Sequence, residues 1–166
     1  MSFENRLITE RRNLLFSPIP NVNICLNGNN IKQWLVEIEV PNSTFYDNDL
    51  FQLEFNFNDV YPLYPPKVVM KTQIFHPCVD KHGMVYLDII KKNYNTFVTI
   101  RDIIEEIIKM LENPTVNDDF ETEASISMKQ SIDIFKEIAL NKLQRILMKE
   151  QTFESIKILR KQFNKM

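Results

Sequence analysis

The thiols and imidazoles, the side chains whose ordinary pKa lies nearest neutral pH, are few. The 166 residues hold two cysteines, Cys25 and Cys78, and two histidines, His76 and His82. A cysteine acts as its thiolate, a good nucleophile and a good leaving group with an ordinary pKa of about 8.5. Three of these four residues fall between Ile74 and Asn95, a stretch without strong periodicity that also holds Gly83, one of only two glycines. A loop of that length is usually functional or disordered. Its apolar content (Val85, Leu87, Ile89, Ile90) argues for a packed one. The two cysteines lie far apart and no paired ligand spacing appears, so neither a metal nor another cofactor is expected. Nor do two cysteines make a disulfide framework, which points to a reducing compartment, cytoplasmic and/or nuclear.

Composition sets the class. With 44% hydrophobic and 25% charged residues the chain is an ordinary globular one, long enough for one sizeable core. No run of about 18 apolar residues occurs, so a membrane span is not expected. The polar N-terminus does not read as a secretory signal. The net charge of −2 argues against nucleic acid as a partner. That charge is unevenly spread. Residues 141–166 carry seven basic and two acidic side chains, +5 in all, which leaves −7 for residues 1–140. Such a segment reads either as a solvated helix face or as an interaction tail.

The elements that must position the reactive stretch follow from periodicity. Leu7, Ile8, Arg11, Leu14 and Leu15 sit at helical spacing over residues 3–16, with Ser2 as a cap and Pro18 and Pro20 beyond the end. The period then becomes two. Trp34, Val36, Ile38 and Val40 form one half-buried strand, and Phe51, Leu53, Phe55 and Phe57 another. Shorter strands at Val22–Leu26 and Lys67–Lys71 complete a four-stranded antiparallel meander. The three prolines of Tyr61–Pro66 bar that segment from a sheet interior. Thr99-Ile100-Arg101-Asp102 is a capping signature, followed by an apolar stripe of Ile100, Ile103, Ile104, Ile107, Ile108 and Leu111. A further helix is expected from Glu121 to about Lys149, and a last short one after Thr152, with Phe153, Ile156, Leu159 and Phe163 on one side. The fold class is α+β: an N-terminal helix, the meander, a central helix across the sheet, and C-terminal helices.

Four strings in this order resemble the ubiquitin-conjugating enzymes. Tyr61-Pro62-Leu63-Tyr64-Pro65-Pro66-Lys67 matches the family's Y-P-x-x-P-P-K. Ile74-Phe75-His76-Pro77-Cys78-Val79 matches I-x-H-P-N-[IV] in all but one place. Gly83-Met84-Val85-Tyr86-Leu87-Asp88-Ile89-Ile90 matches G-x-[IV]-C-L-D-I-L with one change, and Thr99-Ile100 opens the helix where the family has L-T-I. The resemblance spans residues 5 to 148 or so. It implies the family's fold, with a core domain over 1–149 and a basic helical extension over 150–166. It also implies the family's work: taking ubiquitin or a ubiquitin-like modifier from an activating enzyme as a cysteine thioester and passing it to a lysine.

Two of the family's chemical groups are replaced. The nucleophile position holds Tyr86 and the oxyanion-asparagine position holds Cys78, at the family's own separation. A phenol, with a pKa of about 10, is mostly protonated at neutral pH and cannot carry a thioester. A thiol is a weak hydrogen-bond donor where an amide donates well. Two readings of Cys78 stay open at this point: a buried replacement for asparagine, or a relocated nucleophile. By the same resemblance, Asp118 falls at the acidic position beside the active site, His76 and Pro77 brace a structural turn, and Tyr61-Pro62 is a cis bond. Arg6 falls at a basic position for the activating enzyme. Thr9 stands where lysine is common, with Arg11 and Arg12 placed to compensate. Leu63 keeps the hydrophobic tip that docks ligases, whereas Thr96 and Phe97 replace the family's serine, proline and alanine. The expected function is a ubiquitin-conjugating-enzyme-like protein without the thioester cysteine, a regulatory or partner subunit that binds the modifier, an active conjugating enzyme, an activating enzyme or a ligase. The alternatives are an active enzyme using Cys78, and an adaptor that uses the basic C-terminus to bind protein or membrane.

Overall fold

The computed structural model describes residues 3–28, 30–41, 45–46 and 49–142. Helix α1 (Phe3–Phe16) leads into strands β1 (Val22–Asn27), β2 (Asn30–Val40), β3 (Asp49–Asn56) and β4 (Lys67–Met70), then helices α2 (Ile100–Glu112) and α3 (Glu123–Gln130). The four strands form one antiparallel sheet in the order β1-β2-β3-β4. This is the α+β arrangement expected from the period switches.

Register explains the core. Trp34 pairs with Phe55, Val36 with Leu53 and Ile38 with Phe51, while Leu53 and Phe55 pair with Met70 and Val68. Each pair faces the same side, and all of these side chains are buried. Helix α2 lays Ile100, Ile103, Ile104, Ile107 and Leu111 on that face, all fully buried. Full burial of such a side chain contributes about 1.5–3 kcal/mol, so this layer dominates the stability of the fold. The capping box is present: the Thr99 hydroxyl accepts from the Asp102 amide at 3.2 Å, and the Asp102 carboxylate accepts from the Thr99 amide at 2.8 Å.

Two readings from periodicity are corrected. In α1 only Leu7, Glu10 and Leu14 are buried, while Ile8 and Leu15 face outward. The buried stripe is narrow, with Leu7 and Leu14 joining the main core. The helix expected from Glu121 onward is two helices. Ser131 is extended (φ −164°, ψ 136°) and ends α3, and helix resumes over residues 132–142. The sequence carries a cap for each piece. Thr122 forms a capping box with Ser125, and the Ser131 hydroxyl accepts from the Asp133 amide at 3.2 Å. A small second cluster of Phe75, Ala124, Phe135 and Ala139 fixes this helical pair against the body. Ser2, the helix after Thr152 and the extension over 150–166 lie outside the described residues.

Candidate active-site region

The stretch between β4 and α2 is irregular yet built on the sheet. Gly83 has φ +80°, and a Cβ there would stand 2.3 Å from the Met70 carbonyl oxygen, so only glycine fits. The Met70 amide donates to the Gly83 carbonyl at 2.7 Å, and the Val85 amide to that of Val68 at 3.2 Å. The Asp80 carboxylate closes the preceding turn by accepting from the His82 and Met84 amides. This segment therefore runs back along β4 and delivers Tyr86 beside Cys78, where the Tyr86 amide donates to the Cys78 carbonyl at 2.9 Å.

His76 is fully enclosed. Its Nε2 lies 3.0 Å from the Met110 carbonyl oxygen, so it donates, and its Nδ1 accepts from the Cys78 amide at 2.9 Å. Both contacts need the neutral ring with its proton on Nε2. Burial holds the imidazole pKa down to about 4. His76 thus ties the Phe75–Val79 turn to the end of α2, with Pro77 buried beside it. His82, two residues past the Asp80 turn, is exposed.

Cys78 is 4% exposed, and its thiol reaches the Thr115 carbonyl at 3.5 Å. Burial, reinforced by the charge of Asp88, pushes this thiol up to about 11. A thiol held up in this way is almost wholly protonated at pH 7. Tyr86 is half-buried. Its ring stacks on Phe120 with centroids 3.7 Å apart and planes at 18°, and the Lys91 ammonium lies 4.8 Å from its centroid. Asp118 is exposed and pairs with Lys129 at 3.0 Å. Cys25 lies on the solvent face of the sheet. Beyond Phe120 a groove of about 850 Å³ runs between the 70–83 segment and the start of α3. Among the described residues no group of three or more His, Cys, Asp or Glu could hold a metal ion, and no helix is long and apolar enough to cross a membrane.

A second constellation stands behind the loops at the other end of α2. Glu10 is 5% exposed. It accepts from the Tyr61 hydroxyl at 2.7 Å and the Ile100 amide at 2.6 Å, and it is ion-paired with Arg6. Arg6 also donates to the Val98 carbonyl at 3.3 Å. Tyr94 donates to the Pro62 carbonyl at 2.8 Å, across the Tyr61–Pro62 cis bond. One buried carboxylate thereby joins α1, the proline-rich loop and the start of α2. In front of it Leu63 and Phe97 are 68% and 86% exposed, with Tyr64 and Thr96 also in solvent. Arg11 is half-buried and Arg12 exposed on α1.

The model of the family described as ubiquitin-conjugating enzyme matches residues 6–143, most of the chain. The chain belongs to the ubiquitin-conjugating enzyme family. Relatives include ubiquitin-conjugating enzyme E2 13 of Saccharomyces cerevisiae, 33% identical over 70% of this chain and 76% of that protein. Ubiquitin-conjugating enzyme E2 N of Drosophila melanogaster is 32% identical over 70% of this chain and 78% of its own length. Membership implies dealings with ubiquitin, activating enzymes and ligases in general. At position 86, which the motif resemblance sets at the family's thioester site, an aromatic stack is found.

Sequence reasoning missed Glu10 and Phe120. Glu10 was legible in principle, because it falls on the Leu7–Leu14 face of α1 at helical spacing. Phe120 offers a weaker signal, a single aromatic flanked by Asp118, Asp119 and Glu121 in a polar loop.

Proposed function

We propose that this member of the family forms no thioester and acts by binding, as a regulatory or partner subunit in the ubiquitin or ubiquitin-like modifier pathway. The observation that carries this reading is the stack of Tyr86 on Phe120 at the nucleophile position. A phenol leaves the carrier chemistry without its sulfur, and two stacked rings occupy the space a modifier's tail would need. The burial and raised pKa of Cys78 weigh against its use as a relocated nucleophile, since attack requires an exposed thiolate. The solvent-facing Leu63, Tyr64 and Phe97, held in place from behind by Glu10, support a protein-binding role. Activity in the cytoplasm or nucleus fits the free thiols.

Titration of labelled protein with ubiquitin, and pull-down of active conjugating enzymes, tests the reading. Saturable binding of either at micromolar concentration is the expected result. Absence of both at high micromolar concentration overturns it.

A further inference from the structure

Tyr86 is half of the obstruction at the nucleophile position, and the other half is positioned independently of it. Phe120 belongs to the loop between α2 and α3, and that loop is fastened to the segments around Tyr86 at four points. The Thr115 carbonyl accepts from the Cys78 thiol at 3.5 Å. The Asn117 amide donates to the Asp88 carboxylate at 3.2 Å. Asp119 is ion-paired with Lys92. The Thr122 hydroxyl donates to the Pro77 carbonyl at 3.1 Å. Within the loop, the Asn117 side chain accepts from the Asp119 amide at 3.0 Å, and the Phe120 amide donates to the Asn117 carbonyl at 3.2 Å. None of these contacts involves the Tyr86 ring. Phe120 also lines the 850 Å³ groove, so its ring is the wall between that groove and position 86.

We infer that Phe120 is a second, separate block: a fixed aromatic cover that would still close position 86 if a cysteine were restored there. The inference rests on the reading of position 86 given above. With the Tyr86 ring removed, Phe120 loses its stacking partner but keeps all four anchors of its loop. A thiol placed at 86 would lie beneath a phenyl ring, shielded from any bulky electrophile. An accessible thiol at position 86 therefore needs two changes, one at 86 and one at 120.

The experiment compares Tyr86→Cys with Tyr86→Cys/Phe120→Ala, both in a Cys25→Ser background so that the exposed native thiol is absent. Each is labelled with iodoacetamide and with the bulkier fluorescein maleimide over a range of pH. Peptide mapping separates label at position 86 from label at Cys78. The expected result is that Phe120→Ala raises the plateau rate at position 86 about tenfold or more, and more for the maleimide, beyond any fall in the pH midpoint as the thiol gains solvent. A steric cover alters the plateau, whereas a changed thiolate pKa alters the midpoint. Tyr86→Cys/Phe120→Leu, which keeps most of the bulk, should remain slow, and its folding is checked by thermal melting. Equal plateau rates with and without Phe120 overturn the inference. A reductant-sensitive adduct on the unaltered chain would instead sink the reading of function, and it leaves this rate ratio untouched.

Discussion

Two ends of α2 have been treated differently. At its C-terminal end the His76–Cys78–Tyr86 region is closed: it holds a neutral buried imidazole, a buried thiol and a stacked ring pair. At its N-terminal end, Leu63, Tyr64 and Phe97 project into solvent from loops held by one buried carboxylate. In the first region side chains satisfy one another. In the second, the satisfied groups lie behind and the apolar ones face out. Under the proposed function, the contrast separates two properties that the family combines, docking and thioester chemistry.

The comparison can be broken from either side. The largest effect is expected behind the docking face. Glu10→Ala removes the acceptor for Tyr61, Ile100 and Arg6 at once, and stability measured by urea unfolding should fall by about 3–5 kcal/mol. A loss under about 1 kcal/mol would mean that the hub does not hold the loops.

The next effect belongs to the closed region and is a pH effect. The folded-state pKa of His76, about 4, lies below its unfolded value of about 6.5. The fold binds the neutral ring, so this contribution is fully present above pH 6.5 and is lost as pH falls from 6.5 toward 4. The difference corresponds to about 3 kcal/mol. Urea midpoints from pH 7 to pH 4 should fall more steeply for the native chain than for His76→Gln, and parallel slopes would contradict the neutral buried ring. Smaller again is the stack. A double-mutant cycle of Tyr86→Ala and Phe120→Ala should give a coupling of about 1 kcal/mol, and additive losses would mean that the rings merely lie near each other. The smallest effect on stability is expected at the docking face. Leu63→Ala and Phe97→Ala should change it by less than about 0.5 kcal/mol, yet weaken capture of protein partners in pull-downs.

Much of this is legible in the sequence. The strands were readable because their buried face alternates strictly: Trp34, Val36, Ile38 and Val40 on β2 and Phe51, Leu53 and Phe55 on β3. The turn around His76 and the capped start of α2 were readable from short strings whose mechanics are local. The helix break at Ser131 does not interrupt the apolar spacing, and its one local sign is the Ser131 hydroxyl that accepts from the Asp133 amide. The rest of what escaped depends on tertiary neighbours. Glu10 looked like one more charge on a charged helix, because its partners lie 51 and 90 residues away. Phe120 meets Tyr86 only because its loop is fastened at Thr115, Asn117, Asp119 and Thr122. The departures at positions 78 and 86 were visible in the sequence, and the structure adds what surrounds them: a buried thiol and a covered ring.

The measurement closest to the central claim is thioester formation. The protein is incubated with activating enzyme, ATP and ubiquitin, and the products are run with and without reductant. The account predicts no reductant-sensitive adduct on the native chain. An adduct that vanishes in Cys78→Ala and survives in Tyr86→Phe would contradict it and make Cys78 a working nucleophile.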